Sequence, residues 1–166
     1  MLRIYYAATA VLAEVSLFRR GYELMPTERR RKINQIKPET GKRLSLGAGL
    51  LLRKICRDFR IDGADEEIAY GPRGKPYFAT QPQLYFNLSH SGNRVLAAVA
   101  DREVGCDVEA VGTGNLQVAR RFFAPAEYET ICRETDAEKQ NELFYRFWTV
   151  KESFLKCGGE GFALPL

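Results

Sequence analysis

Histidine and tryptophan each occur once and methionine twice in 166 residues, and the four cysteines, at 56, 106, 132 and 157, stand at least 25 positions apart. A structural zinc site needs closely spaced pairs of Cys or His ligands, so this inventory argues against one. Scattered cysteines in a chain of this size suit a reducing compartment rather than a disulfide framework, and the expected location is the cytoplasm. No run of about 18 apolar residues exists, so nothing reads as a membrane span. The N-terminal stretch MLRIYYAATAVLAEVSLFRR is interrupted by Arg3 and Glu14. That interruption argues against a signal peptide, and its amphipathic look leaves only a transit-peptide reading beside the mature-chain one. Internal repeats and low-complexity tracts are also lacking. What is there, 45% hydrophobic and 28% charged residues, is the balance of a soluble globular protein. The length suits one compact unit or two small lobes sharing a core.

The net charge of +4 hides an asymmetry. Residues 19–60 carry thirteen Lys and Arg against four Asp and Glu, whereas residues 101–166 carry eight against twelve. A basic first half and an acidic second half suggest an anionic partner held by one and a cation by the other. A solvated basic helix that binds nothing gives the same count.

Periodicity predicts a strand over 2–7, helices over 27–36 and 39–60, and a loop at GPRGKP (71–76). Three strands then follow, LYFNL (84–88), VLAAVA (95–100) and VGCDVE (104–109). Their short links suit an antiparallel meander. After a loop at 111–115, helices resume over 116–134 and 138–157. Strands and helices fall in blocks, so the fold class is α+β.

Two places carry chemistry on pattern alone. In VGCDVE, alternation sends Asp107 and Glu109 to one face, about 7 Å apart, where they repel unless a positive group sits between them. Magnesium, which takes a few carboxylates plus waters and phosphate oxygens, suits that pair; a half-exposed strand with polar residues facing water explains it as well. In FYRFWTVKESFLK (144–156), Phe144, Phe147, Trp148 and Leu155 form one apolar stripe. Lys151 falls near its centre, where it must snorkel or meet an anion. Glu152 lies at the edge, and its i,i+4 spacing to Lys156 also fits an ordinary surface salt bridge. The only histidine, His90, sits in FNLSHSG (86–92), read as a hairpin turn, among small hydroxyl residues where an oxyanion could be held. Of the basic run Arg29-Arg30-Arg31-Lys32, two or three side chains at most can face one phosphate on a helix.

Taken together, GKP (74–76), FNLSHSG (86–92), GCDVE (105–109), RFFAPAEY (121–128) and FWTVKESFLK (147–156) resemble the 4'-phosphopantetheinyl transferases, of the surfactin-synthetase-activating type that serves nonribosomal peptide and polyketide synthases. The resemblance implies transfer of phosphopantetheine from coenzyme A to a serine of an acyl or peptidyl carrier protein, with Mg²⁺ and release of adenosine 3',5'-bisphosphate, an activity of the holo-acyl-carrier-protein synthase kind. It implies Asp107, Glu109 and Glu152 as metal ligands. Glu152 or Glu127 would be the base, and Lys156 and His90 would lie on the pyrophosphate. Lys75, Pro76 and Ser89 would line the nucleotide pocket, with Lys151 near the cofactor and Arg31 and Arg43 at the 3'-phosphate. Glu28 stands where a basic residue is common, with Arg29 or Arg30 as compensation. The implied fold is two pseudo-symmetric lobes, 1–102 and 103–166, each of antiparallel sheet and helices, with coenzyme A between them. Relatives of this type continue beyond GFALPL, so the expectation is an incomplete second lobe, with self-association in place of the family's monomer. An alternative is an inactive or weakly active truncated relative that acts as a coenzyme A or carrier-protein binding module. Nucleic acid is not expected as a partner, because the exposed aromatics needed for single-strand stacking are not evident near the 19–60 cations.

Overall fold

The computed structural model describes residues 1–61 and 68–159, so GFALPL lies outside the described residues. Strand β1 (Leu2–Ala8) leads through a short 3-10 turn (Ala10–Ala13) into α1 (Val15–Glu23), α2 (Thr27–Gln35) and the long α3 (Glu39–Phe59). A small hairpin follows, β2 (Ile68–Tyr70) and β3 (Pro76–Phe78), then β4 (Tyr85–Ser91) and β5 (Arg94–Ala100). Helices α4 (Leu116–Phe122), α5 (Pro125–Arg133) and α6 (Ala137–Gly158) complete the described chain. Both sheets are antiparallel, one in the order β1-β5-β4 and one pairing β2 with β3. The α+β expectation holds.

Alternation and helical period account for the packing. Val95, Ala97 and Val99 recur at every second position of β5 and turn one face of that strand to α3. Leu51, Leu52 and Ile55 of α3 close this core together with Phe78 and Phe86. A second cluster, Leu12, Met25, Ile33 and Leu46, seats α1 and α2 against α3. The third is aromatic. Phe123, Phe144, Phe147 and Trp148 join α4, α5 and α6, with Phe144 and Trp148 stacked 9° from parallel at 6.1 Å. The stripe read on 144–156 is therefore real, except that Leu155 buries elsewhere, in the wall of the cleft described below.

Four sequence expectations need correction. VGCDVE is not a β-strand but an extended segment, because side chains on β4 rather than a neighbouring backbone take its N–H groups. The expected helix over 116–134 is two helices. Pro125 has no N–H to give and restricts Ala124, so α4 ends and α5 starts with proline in its first turn. Helix α1, absent from the predicted elements, is held where the buried Gly21 lets Leu46 and Leu50 of α3 come close. His90 is not in a turn. It lies on β4 opposite Val95, and the connection is the two residues Gly92 and Asn93, with Gly92 at φ +57° as a tight hairpin requires.

Candidate active site

The segment 103–115 lies lengthwise along α6, and glycine makes this possible. A Cβ on Gly105 would overlap the carbonyl oxygen of Ser153 and stand 2.5 Å from the nitrogen of Cys157. At the other end the Gly114 N–H donates to Asn141 Oδ1 at 2.8 Å, and a Cβ there would crowd Phe144 at 2.9 Å. The same segment runs parallel to β4. Asn87, Ser89 and Ser91 alternate onto one side of that strand and accept the N–H groups of Cys106, Val108 and Ala110 at 3.0, 3.3 and 3.1 Å. The two serine hydroxyls then donate to carboxylates, Ser89 to Asp107 Oδ1 and Ser91 to Glu109 Oε2, each at 2.7 Å. Asp107 and Glu109 thus face the same way, as expected, although no strand holds them. Cys106, between the two layers, has its thiol pushed up to about 11 by burial.

Lys156 reaches from α6 to this rung. Its ammonium donates to Asp107 Oδ1 at 2.5 Å and to Ser89 Oγ at 3.2 Å, so its partner is Asp107 rather than a surface glutamate. The Asp107 side chain is 1% exposed, and its Oδ2 is buried with no hydrogen-bond partner among the described residues. Glu152 sits one turn before Lys156. Burial raises its carboxyl above the ordinary range; Lys156 opposes the shift, and repulsion from Asp107 and Glu109 adds to it.

Glu152 and Lys156 border a cleft of about 280 Å³ lined also by Arg73, Lys75, Pro76 and Leu88, among others, and Asp107 lies behind it on Lys156. The β2–β3 hairpin brings its turn there, with Gly74 at φ +80° and Gly71 N–H bonded to the Lys75 carbonyl at 2.9 Å. Lys75 spans the cleft floor and donates to the Cys157 carbonyl at 2.5 Å, joining that turn to the end of α6. Lys75, Pro76, Ser89, Asp107, Glu152 and Lys156 are therefore brought together. Glu109 lies beside them on its serine, and His90 is exposed on β4, two residues beyond the Leu88 of the cleft wall.

Other expected residues lie apart. Lys151 does meet an anion, as its place in the stripe demanded. That anion is Glu127, at 2.9 Å, and the ammonium also lies 5.5 Å from the Phe123 ring centroid. Burial alone would raise Glu127, but Lys151 and the Ala124 N–H hold it below the usual carboxylate value. Neither residue lines the cleft. The basic run divides as helical spacing requires. Arg29 and Lys32 face a small recess with Glu28 and Tyr70, while Arg30 turns back to cap α1 through the carbonyls of Glu23 and Met25. Arg29 rather than Arg30 thus stands beside Glu28. Arg31 is exposed and Arg43 half-buried. Tyr70, which the sequence did not place near these cations, lies under Lys32 with its hydroxyl 3.2 Å from the ammonium. Asn87 and Ser91 were missed; the signal was the alternation of Asn, Ser and Ser in FNLSHSG beside the alternating acids of GCDVE.

Among the described residues no three of His, Cys, Asp and Glu close into a metal cluster. Magnesium does not need one, since one or two carboxylates with waters and substrate phosphates suffice. The orphaned buried Oδ2 of Asp107 is the feature that fits a cation.

Residues 103–166 match the family model of the 4'-phosphopantetheinyl transferase superfamily. The chain is 36% identical over 128 residues to "4'-phosphopantetheinyl transferase Sfp" of Bacillus subtilis (strain 168), covering 77% of this chain and 57% of that protein. It is 38% identical over 132 residues to "4'-phosphopantetheinyl transferase HetI" of a Nostoc strain, covering 76% and 55%. To "4'-phosphopantetheinyl transferase AcpT" of Escherichia coli (strain K12) it is 41% identical over 99 residues, 56% of this chain and 49% of that protein. The chain belongs to the 4'-phosphopantetheinyl transferase superfamily, and it spans about half the length of the curated relatives it matches. Among the described residues no helix is long and apolar enough to cross a membrane.

Proposed function

We propose that this chain transfers the 4'-phosphopantetheine group of coenzyme A to a serine hydroxyl of an acyl or peptidyl carrier protein, leaving adenosine 3',5'-bisphosphate. The observation that carries the reading is a cleft lined by the raised Glu152 and two lysines, one of which, Lys156, bonds the half-satisfied Asp107 carboxylate behind it. Lobes 1–102 and 103–166 flank coenzyme A in this account, with Lys75 and Pro76 against the nucleotide and Arg31 and Arg43 toward the 3'-phosphate. Glu152 takes the proton of the carrier serine. Its raised carboxyl lies nearer working pH than an ordinary glutamate, which favours a base of this kind. The serine oxygen bonds to the β-phosphorus as the bond from that phosphorus to the bisphosphate oxygen breaks. Lys156 and Lys75 offset the charge that develops on the leaving oxygens. Asp107, Glu109 and Glu152 would hold Mg²⁺, which neutralises pyrophosphate charge when bound. Glu127, already engaged by Lys151 and Ala124, serves as a positioning group in this reading rather than as the base. The experiment is incubation with coenzyme A, Mg²⁺ and an apo carrier domain, read by intact mass, with Glu152→Gln as the control that loses transfer.

A further inference from the structure

Two hydrogen-bond relays of the same form stand side by side. In the first, the Val108 N–H donates to Ser89 Oγ, and the Ser89 hydroxyl donates to Asp107. In the second, the Ala110 N–H donates to Ser91 Oγ at 3.1 Å, and the Ser91 hydroxyl donates to Glu109 Oε2 at 2.7 Å. A serine hydroxyl has one proton and two acceptor lone pairs. With a backbone N–H occupying a lone pair, the proton has one charged acceptor to face, and the carboxylate is held in one rotamer. Gly92 tightens the second relay, because a Cβ on it would lie 3.1 Å from Ala110 Cβ, so the hairpin tip and residue 110 pack with no slack.

We infer that Ser91 is a positioning residue, which acts through Glu109 to fix one oxygen of that carboxylate and leave the other to face a divalent cation. The inference rests on the proposed function only in assigning the cation to Glu109. Lys156 already does part of this work for Asp107, since it bonds both Ser89 and Asp107. No second side chain is bonded to Glu109 among the described hydrogen bonds and ion pairs, so the Ser91 hydroxyl carries the whole task there. Groups that orient a metal-binding carboxylate typically matter about 10- to 100-fold in metal affinity.

The test is Mn²⁺ binding to the 166-residue chain with coenzyme A present, counted by electron paramagnetic resonance, with no turnover required. Ser91→Ala should weaken Mn²⁺ about tenfold, at the lower end of that range. Ser91→Thr, which keeps the hydroxyl, should restore it to within a factor of about two or three, against the same reference. In a Glu109→Gln background, Ser91→Ala should cost nothing further, which a merely structural serine would not obey. Equal Mn²⁺ affinity in wild type and Ser91→Ala overturns the inference while leaving the proposed function standing. A full additional loss in the Glu109→Gln background also overturns it, by showing that Ser91 acts elsewhere. Absence of Mn²⁺ binding by the wild type contradicts the metal assignment itself, and the role of Ser91 falls with it.

Discussion

The Lys156 ammonium lies 2.5 Å from Oδ1 of Asp107, while Oδ2 of the same carboxylate is buried with no partner among the described residues. One oxygen is held by both a hydroxyl and an ammonium; the other is buried and unmatched among the described residues. Leaving a buried polar atom unsatisfied costs about 1–3 kcal/mol, more for a charged group. A cation that reaches Oδ2 relieves this cost, so the carboxylate favours a positive charge there.

Asp107→Asn keeps the shape and removes the charge. Transfer should fall by about two to three orders of magnitude, as when one charge-stabilising group is removed from an active site. Lys156 loses its carboxylate but stays partly solvated, so thermal denaturation should show a loss of only about 1–2 kcal/mol. Near-normal transfer by this variant would remove Asp107 from the site.

Glu152 titrates above the ordinary carboxylate range because burial, then Asp107 and Glu109, disfavour its charge more than Lys156 favours it. Mg²⁺ on the same carboxylate would favour its charged form, so this displacement belongs to the metal-free chain, and Glu152→Gln, which can neither take a proton nor carry that charge, should abolish transfer. The displacement shows in the stability of the metal-free chain. The folded state holds this proton more tightly than the unfolded chain, so stability falls as pH rises from the unfolded value through the folded one. Glu152→Gln should therefore melt slightly higher than wild type at neutral pH, by no more than about 1 kcal/mol after solvent screening, and show no gain in acid.

Gly105 and Gly112 make a matched pair. A Cβ at 105 meets the α6 backbone at Ser153 and Cys157, whereas a Cβ at 112 meets only the tip of Tyr145, at 3.3 Å. Gly105→Ala should push the 103–109 segment off α6, destabilising by about 2–4 kcal/mol in the upper range for single substitutions and lowering transfer with it. Gly112→Ala should change stability by about 0.5 kcal/mol or less. Chemical denaturation of both variants checks the contrast.

Arg31 and Arg43 stand on α2 and α3, outside the cleft lining. Replacing both with neutral residues should weaken coenzyme A more than dephospho-coenzyme A, by about 1.5–3 kcal/mol for each charged hydrogen bond lost. Calorimetry with the two ligands measures the difference. Equal losses would move the 3'-phosphate site to other cations, of which Arg29 and Lys32 share a recess.

Much of the site could be read before the fold was known, because its chemistry follows local rules. Lys151 had to find an anion, since helical period places it in an apolar stripe; that the anion is Glu127 depends on Pro125 breaking the chain and turning α5 onto α6. Alternation put Asp107 and Glu109 on one side correctly while giving the wrong backbone state. Period two shows which way side chains point, but not whether a neighbouring backbone or a row of Asn and Ser side chains accepts the N–H groups. His90 was misplaced for a different reason. The strands were placed at 84–88 and 95–100, whereas Gly92 at positive φ lets them run on to a link of two residues. The pairing of Lys156 with Asp107 spans 49 positions, and no local rule reports it.

The most direct measurement is the mass of an apo carrier domain after incubation with this chain, coenzyme A and Mg²⁺. The account predicts a gain of one phosphopantetheinyl group, lost on chelation of the metal and in Glu152→Gln. An unchanged mass with this chain, while a curated relative modifies the same carrier domain in parallel, would contradict it.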